Sequence, residues 1–171
     1  RPGASNIIGT EAAARAAPDG YSLYIGTTSS LSVVPHLFSK LPFNAEKDFA
    51  PVSLLGILNT GLIANPNVSA KDAKALIAEL KAKPESVSVA TSGIGSYSHL
   101  SGVWFNDAAK VRTNLVPYNS TSPYNDLLAG QVQLMFDGLP AAAGPIRGGK
   151  LKLLAITGKE RHPSFPTVPT F

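Results

Sequence analysis

The chain has 171 residues, enough for one sizeable core or two small lobes, and a 44% hydrophobic share places it in the globular class. Lys and Arg number 15 against 11 Asp and Glu, and the basic residues stand singly, which excludes the dense basic footprint of a nucleic-acid binder. Cysteine is absent, so these residues hold no disulfide framework, thiolate metal site or cysteine nucleophile, and no apolar run nears the ~20 residues of a membrane span.

In chain order, residues 6–17 predict a short alanine-rich helix stopped by Pro18-Asp19-Gly20. Residues 21–25 alternate as a strand that empties into Gly26 and four hydroxyl residues. A short helix over 31–41, with Pro35 near its start, and a loop over 43–51 follow. The apolar run 52–64, interrupted by Gly56 and Gly61, reads as an extended passage from one lobe to another. Ser69 is placed to cap the next helix, with Asp72 three positions on; Ala73, Leu76, Ile77 and Leu80 form its apolar stripe, and Lys83-Pro84 ends it. Its lysines Lys71, Lys74, Lys81 and Lys83 read as a solvated face.

Val87, Val89 and Ala90 predict a strand running into a loop where Gly93 and Gly95 permit a turn that a Cβ would resist. Leu100, Val103 and Trp104 recur at helical spacing, so a helix begins near Ser96 with unpaired N–H groups facing that loop. Residues 114–118 form another strand, with Pro123 in the first turn of a helix to Leu128 and Gly130 just beyond its end. Strands over 132–136 and 151–157 enclose a weak helix that runs through Ile146. Strand, polar loop and helix thus repeat, which predicts an α/β sheet of parallel type.

Ligands of such sheets lie outside the carboxyl ends of the strands. Three hydroxyl-rich loops fall there: Thr27, Thr28, Ser29 and Ser30; Ser92, Ser96, Tyr97 and Ser98 with Gly93 and Gly95; and Asn119, Ser120 and Thr121. Together they describe a polar, nearly uncharged pocket suited to a small oxyanion held by hydrogen bonds. Asp137, at the next strand end, reads equally as a ligand contact or as a cap for the following turn. An alternative is an α/β hydrolase-like or transferase enzyme with Ser96 as nucleophile, His99 as base and Asp137 as orienter, although no G-x-S-x-G surrounds Ser92, Ser96 or Ser98. His36, His99 and His162 show no metal spacing, and there is no GxxxxGK phosphate loop.

The stretches RPGASNIIGTEAAARAAPDGY, KLPFNAEKDFAPVSLL, GSYSHL, VPYNS, LLAGQVQLMFDGLP and GGKLKLLAITGKERHPSFPTVPTF closely resemble the tripartite tricarboxylate transporter substrate-binding proteins, the Bug family. The resemblance covers essentially the whole chain, with the motifs in the family's order. It implies an α/β fold of the two-lobed type II periplasmic binding protein kind, made with a signal peptide in its precursor. It further implies a periplasmic, non-enzymatic receptor, monomeric at full length, that closes on a small organic carboxylate without cofactor or metal and delivers it to a membrane permease. By the same resemblance the chain is a fragment lacking both ends: residues 1–59 are a partial lobe one, 60–155 a nearly complete lobe two, and 156–171 the start of the return to lobe one. Carried over by position, the ligand loops are Thr27 to Ser30, Ser92 to His99, Tyr118 to Thr121, and Asp137. The sequence departs from the family pattern at Asn119, where Lys is common, and this removes a positive charge beside the pocket.

Overall fold

Five short apolar runs are too small to bury both faces alone, and they pair into one sheet that does. The structure is a computed structural model and describes residues 6–118 and 122–171. In chain order the elements are α1 (Ile7–Ala14), a π-helical turn (Ser29–Val33) continuing into α2 (Val34–Leu37), β1 (Thr60–Ala64), α3 (Ala73–Ala82), β2 (Ser88–Thr91), α4 (Tyr97–Ala109), β3 (Asn114–Pro117), α5 (Tyr124–Ala129), β4 (Leu134–Gly138), α6 (Leu139–Arg147) and β5 (Lys152–Ile156). The strands lie in the order β3-β2-β4-β1-β5.

The sheet is mixed, which corrects the parallel type expected from the sequence. β2 runs parallel to both β3 and β4, whereas β1 is antiparallel to β4 and to β5. The reason lies in β1, which enters from the long extended passage rather than from a preceding helical crossover and is therefore free to insert in the opposite direction between two later strands. All five of its residues are buried.

Successive residues of each strand point to opposite faces, and two apolar layers result. Leu62, Val89, Leu134 and Phe136 face one way and pack with Leu76 and Leu80 of α3 and Phe105 of α4. Ile63, Ala90 and Met135 face the other way and pack with Leu127 of α5 and Leu139 and Ala142 of α6. Ile156 and Phe165 join this second layer, so the packed core runs past the fifth strand. Apart from Val34 and Phe43, the buried apolar side chains all lie between Leu62 and Phe165.

Three further expectations are corrected. Residues 21–25 form no strand; Tyr21, Leu23 and Ile25 are exposed, and alternation without a neighbouring strand leaves nothing for their backbone groups to pair with. The cap of α3 is Asp72, whose Oδ1 accepts the Ala75 N–H at 2.8 Å. Ser69 instead donates its hydroxyl to the Glu79 carboxylate at 2.9 Å. β4 begins at Leu134 rather than at residue 132, because the N–H groups of Gln131 and Val132 still bond to the Asp126 carbonyl at the end of α5.

Candidate functional site

β2, β3 and β4 are parallel, so all three end at the same edge of the sheet. Thr91 pairs with Pro117, and the Tyr118 N–H bonds the Thr91 carbonyl at 2.8 Å, which sets Tyr118 beside Ser92. On the other side Ala90 pairs with Met135, and β4 runs on past this pair through Asp137 to Gly138. Tyr118, Ser92 and Asp137 thus stand at the carboxyl ends of three adjacent parallel strands.

The loop from β2 into α4 leaves from this edge. Gly93 and Gly95 take positive φ values of 100° and 80°, the left-handed region that side chains with a Cβ avoid. Ser96 caps α4 by accepting the His99 N–H at 3.2 Å. Ser98, buried in the first turn, accepts the Ser92 N–H at 2.8 Å and lies 3.1 Å from the Ser96 hydroxyl. The three serines therefore fix the loop's shape, and the amino end of a 13-residue helix with its positive dipole end lies at the edge. Thr91 is fully buried beneath them, and its hydroxyl has no partner among the described residues.

Asp137 is tied on both oxygens: Oδ1 accepts the Gly138 N–H at 2.7 Å and Oδ2 accepts the Tyr124 hydroxyl at 2.8 Å. Half-burial and this bond push the Tyr124 phenol well above its ordinary pKa. Tyr118 makes a parallel bond to Asp126 at 2.6 Å, which likewise raises its phenol. Neither Lys nor Arg occurs in residues 84–109 or 113–146, so every loop at this edge lacks a fixed cation. Such an edge can hold an anion only through N–H groups, hydroxyls and water.

The hydrolase-like alternative is not built here. Ser96 directs its oxygen at the His99 backbone and at Ser98, and among the described residues no hydrogen bond joins it to the His99 imidazole. Asp137 serves Tyr124 rather than His99. Among the described residues no group of three or more His, Cys, Asp or Glu is disposed to hold a metal ion.

Of the predicted site residues, Ser92, Gly93, Gly95, Ser96, Tyr97, Ser98, His99, Tyr118 and Asp137 fall at this one edge. Thr27, Thr28, Ser29 and Ser30 belong to the amino-terminal unit. There Ser30 is buried and its hydroxyl is shared among Thr27, the Thr27 carbonyl and Tyr24, so it stiffens the turn. Thr28 is exposed and Ser29 half-buried. Asn119, Ser120 and Thr121 lie outside the described residues. Sequence reasoning missed Tyr124, and the signal for it was a tyrosine at the start of α5, one loop away from a lone acid at a strand end.

A family profile described as the Tripartite tricarboxylate transporter family receptor matches residues 1–171. The chain belongs to this family. Protein BugT of Bordetella pertussis is 37% identical over 99% of the chain and 53% of that protein. MatC of Rhodopseudomonas palustris, solved with bound malate, is 34% identical with a TM-score of 0.85 over 98% of this chain and 57% of its own. The R. palustris protein Rpa4515, solved with adipate, is 28% identical with a TM-score of 0.93 over 100% and 57%. The chain therefore spans a little over half the length of the relatives it matches, and its α/β fold is that part of a family receptor.

Proposed function

We propose that the chain is the greater part of the ligand-binding apparatus of a periplasmic receptor, which captures a small organic carboxylate and hands it to the membrane permease of a tripartite transporter. The observation that carries this reading is the carboxyl edge where Tyr118, Ser92 and Asp137 end three adjacent strands and from which α4 starts, an edge rich in hydrogen-bond donors and empty of Lys and Arg. Malate in MatC and adipate in Rpa4515 are carboxylates, in keeping with such an edge. Binding needs only convergent donors, whereas catalysis needs a nucleophile within reach of an oriented base. No reaction is assigned to the chain, and no cofactor.

In this reading residues 1–59 belong to one lobe, residues 60–155 form the second, and 156–171 begin the return. β1 and β5 are buried, hydrogen-bonded strands, so the pivots are the short irregular stretches 57–59 and 157–158 beside them. The carboxylate takes its hydrogen bonds from the Ser92 to His99 loop and from Tyr118, Asp137 meets the ligand only as an acceptor, for a hydroxyl, and Thr27 to Ser30 face it from the first lobe. Asn119, Ser120 and Thr121 are proposed as further ligand-binding residues. The receptor works as a monomer.

The test is thermal unfolding of the full natural chain with adipate, with malate and with adipamide. A ligand at a hundredfold excess over Kd stabilises by about 2.7 kcal/mol, a shift of several degrees. An acid is expected to raise the melting temperature while adipamide does not, and Ser98→Ala, which frees the loop, is expected to lessen the shift. No shift with any small acid would overturn the reading.

A further inference from the structure

The amino-terminal unit is stiff within itself. Thr10 and Tyr24 share a hydrogen bond of 2.7 Å, Tyr24 donates to Ser30 at 3.1 Å, and the Tyr24 ring lies 5.5 Å from that of Phe49, which in turn meets Phe43. Yet this unit reaches the sheet through residues 50–59, an irregular run on which Val52, Leu54, Leu55, Ile57 and Leu58 are exposed. The chain spans only part of its relatives' length, so this exposure is no measure of how the unit is held, and what bears on its placement here is its contact with the sheet.

What it touches is the site loop. α2 ends at Leu37, and a Cβ built on Gly95 would come within 2.8 Å of Leu37 Cδ1, closer than real side chains approach. Gly95 is itself buried, although it lies in the loop between exposed Ser92 and exposed Tyr97. Leu37 remains 49% exposed, so its contact can break and re-form without opening either core layer. The contact falls on the residue just before the Ser96 cap, in the loop that leaves the edge described above.

We propose that Leu37 is a positioning residue that latches the amino-terminal unit onto the β2–α4 loop at Gly95 and so sets how long a ligand stays enclosed. Only its ligand arm rests on the receptor reading; the placement of the unit is testable with no ligand present. The absence of a Cβ at Gly95 is what lets the leucine seat, and the loss of the leucine empties that seat.

The experiment uses the full natural chain carrying spin labels at Lys40→Cys and Lys81→Cys, both exposed positions, one on each side of the contact. These 171 residues contain no cysteine of their own. The parent is expected to give one narrow distance distribution, Leu37→Ala a broader one reaching longer distances at unchanged melting temperature, and Leu37→Met a return to the narrow one. With adipate and malate as probes, dissociation from Leu37→Ala is expected to be about three- to tenfold faster with association little changed, as is usual when contacts closing a site are trimmed. A distance distribution in Leu37→Ala that superimposes on the parent's overturns the latch. Failure of the parent to bind either acid counts against the receptor reading alone, because the label measurement decides the latch by itself.

Discussion

Asn65 stands directly after β1 and is 3% exposed, and its side chain ends α5 from 62 residues away. Its Nδ2 donates to the Leu127 carbonyl at 2.7 Å and to the Leu128 carbonyl at 3.3 Å, while Oδ1 accepts the Asn67 N–H at 2.9 Å. Asn65→Asp keeps the shape and replaces the donor by an oxygen aimed at those two carbonyls. Two hydrogen bonds are lost, the Leu127 carbonyl keeps only the Gly130 N–H at 3.2 Å, and a charge is buried facing two carbonyl oxygens, which together cost about 3–5 kcal/mol near pH 7. For a chain of this size that is a fall of about 10 °C in melting temperature. The introduced carboxyl is disfavoured as an anion in the folded state, so its folded pKa lies above the ordinary aspartate value of about 3.9. A raised folded pKa gives a contribution fully present below the unfolded value and lost as pH rises through the folded one. Once protonated, the carboxyl can donate to Leu127 again, and the defect should shrink toward pH 4. Urea unfolding followed by circular dichroism at several pH values would measure this, with Asn65→Ala as the pH-independent control. A defect in Asn65→Asp that is equally large at pH 4 and pH 7 would refute the reasoning.

Two further substitutions test local structure and the site. Asp72→Ala should lower stability by about 1 kcal/mol through loss of the α3 cap, and Ser69→Ala by less than about 0.5 kcal/mol, since Ser69 only meets Glu79 at the surface. Thermal melts ranking them the other way would return the cap to Ser69. Tyr124→Phe should cost about 1–2 kcal/mol at neutral pH by leaving Asp137 Oδ2 without its donor. Because the folded phenol holds its proton past the ordinary value of 10.0, the parent should lose stability as pH rises from about 10 upward, and the variant should lose less over the same range. Urea midpoints taken across that range would show equal slopes if the bond is absent.

Much of the second-lobe edge was legible because its signals are local. The cap at Ser96, the helix end at Gly130 with φ of 79° and the strand at residues 114–117 all follow from residue types within a few positions of each other. Strand direction is not local. The run TGLIA is apolar on both faces whichever way it points, and only pairing with Leu134 to Gly138 settles that β1 is antiparallel. The alternation at residues 21–25 likewise reads as a strand, yet a strand exists only where a neighbour accepts its hydrogen bonds. Ser69 and Asp72 are both capping residues three apart, and the choice between them depends on Glu79, ten residues beyond Ser69, which draws the serine away. The convergence of Tyr118, Ser92 and Asp137 was visible as three strand ends, whereas the Tyr124 bond that orients Asp137 depends on how α5 packs.

The central position of β1 also orders events in time. It is the first strand of the sheet to be made, and it is flanked by the fourth and the fifth. At roughly 5–20 residues per second of synthesis its partners follow several seconds later, so TGLIA emerges as an apolar segment with nothing to pair with. Assembly of the sheet must then close long loops before any central hydrogen bond forms, which makes folding slow for the size of the chain. That delay exposes the same segment to any chaperone that recognises short apolar stretches.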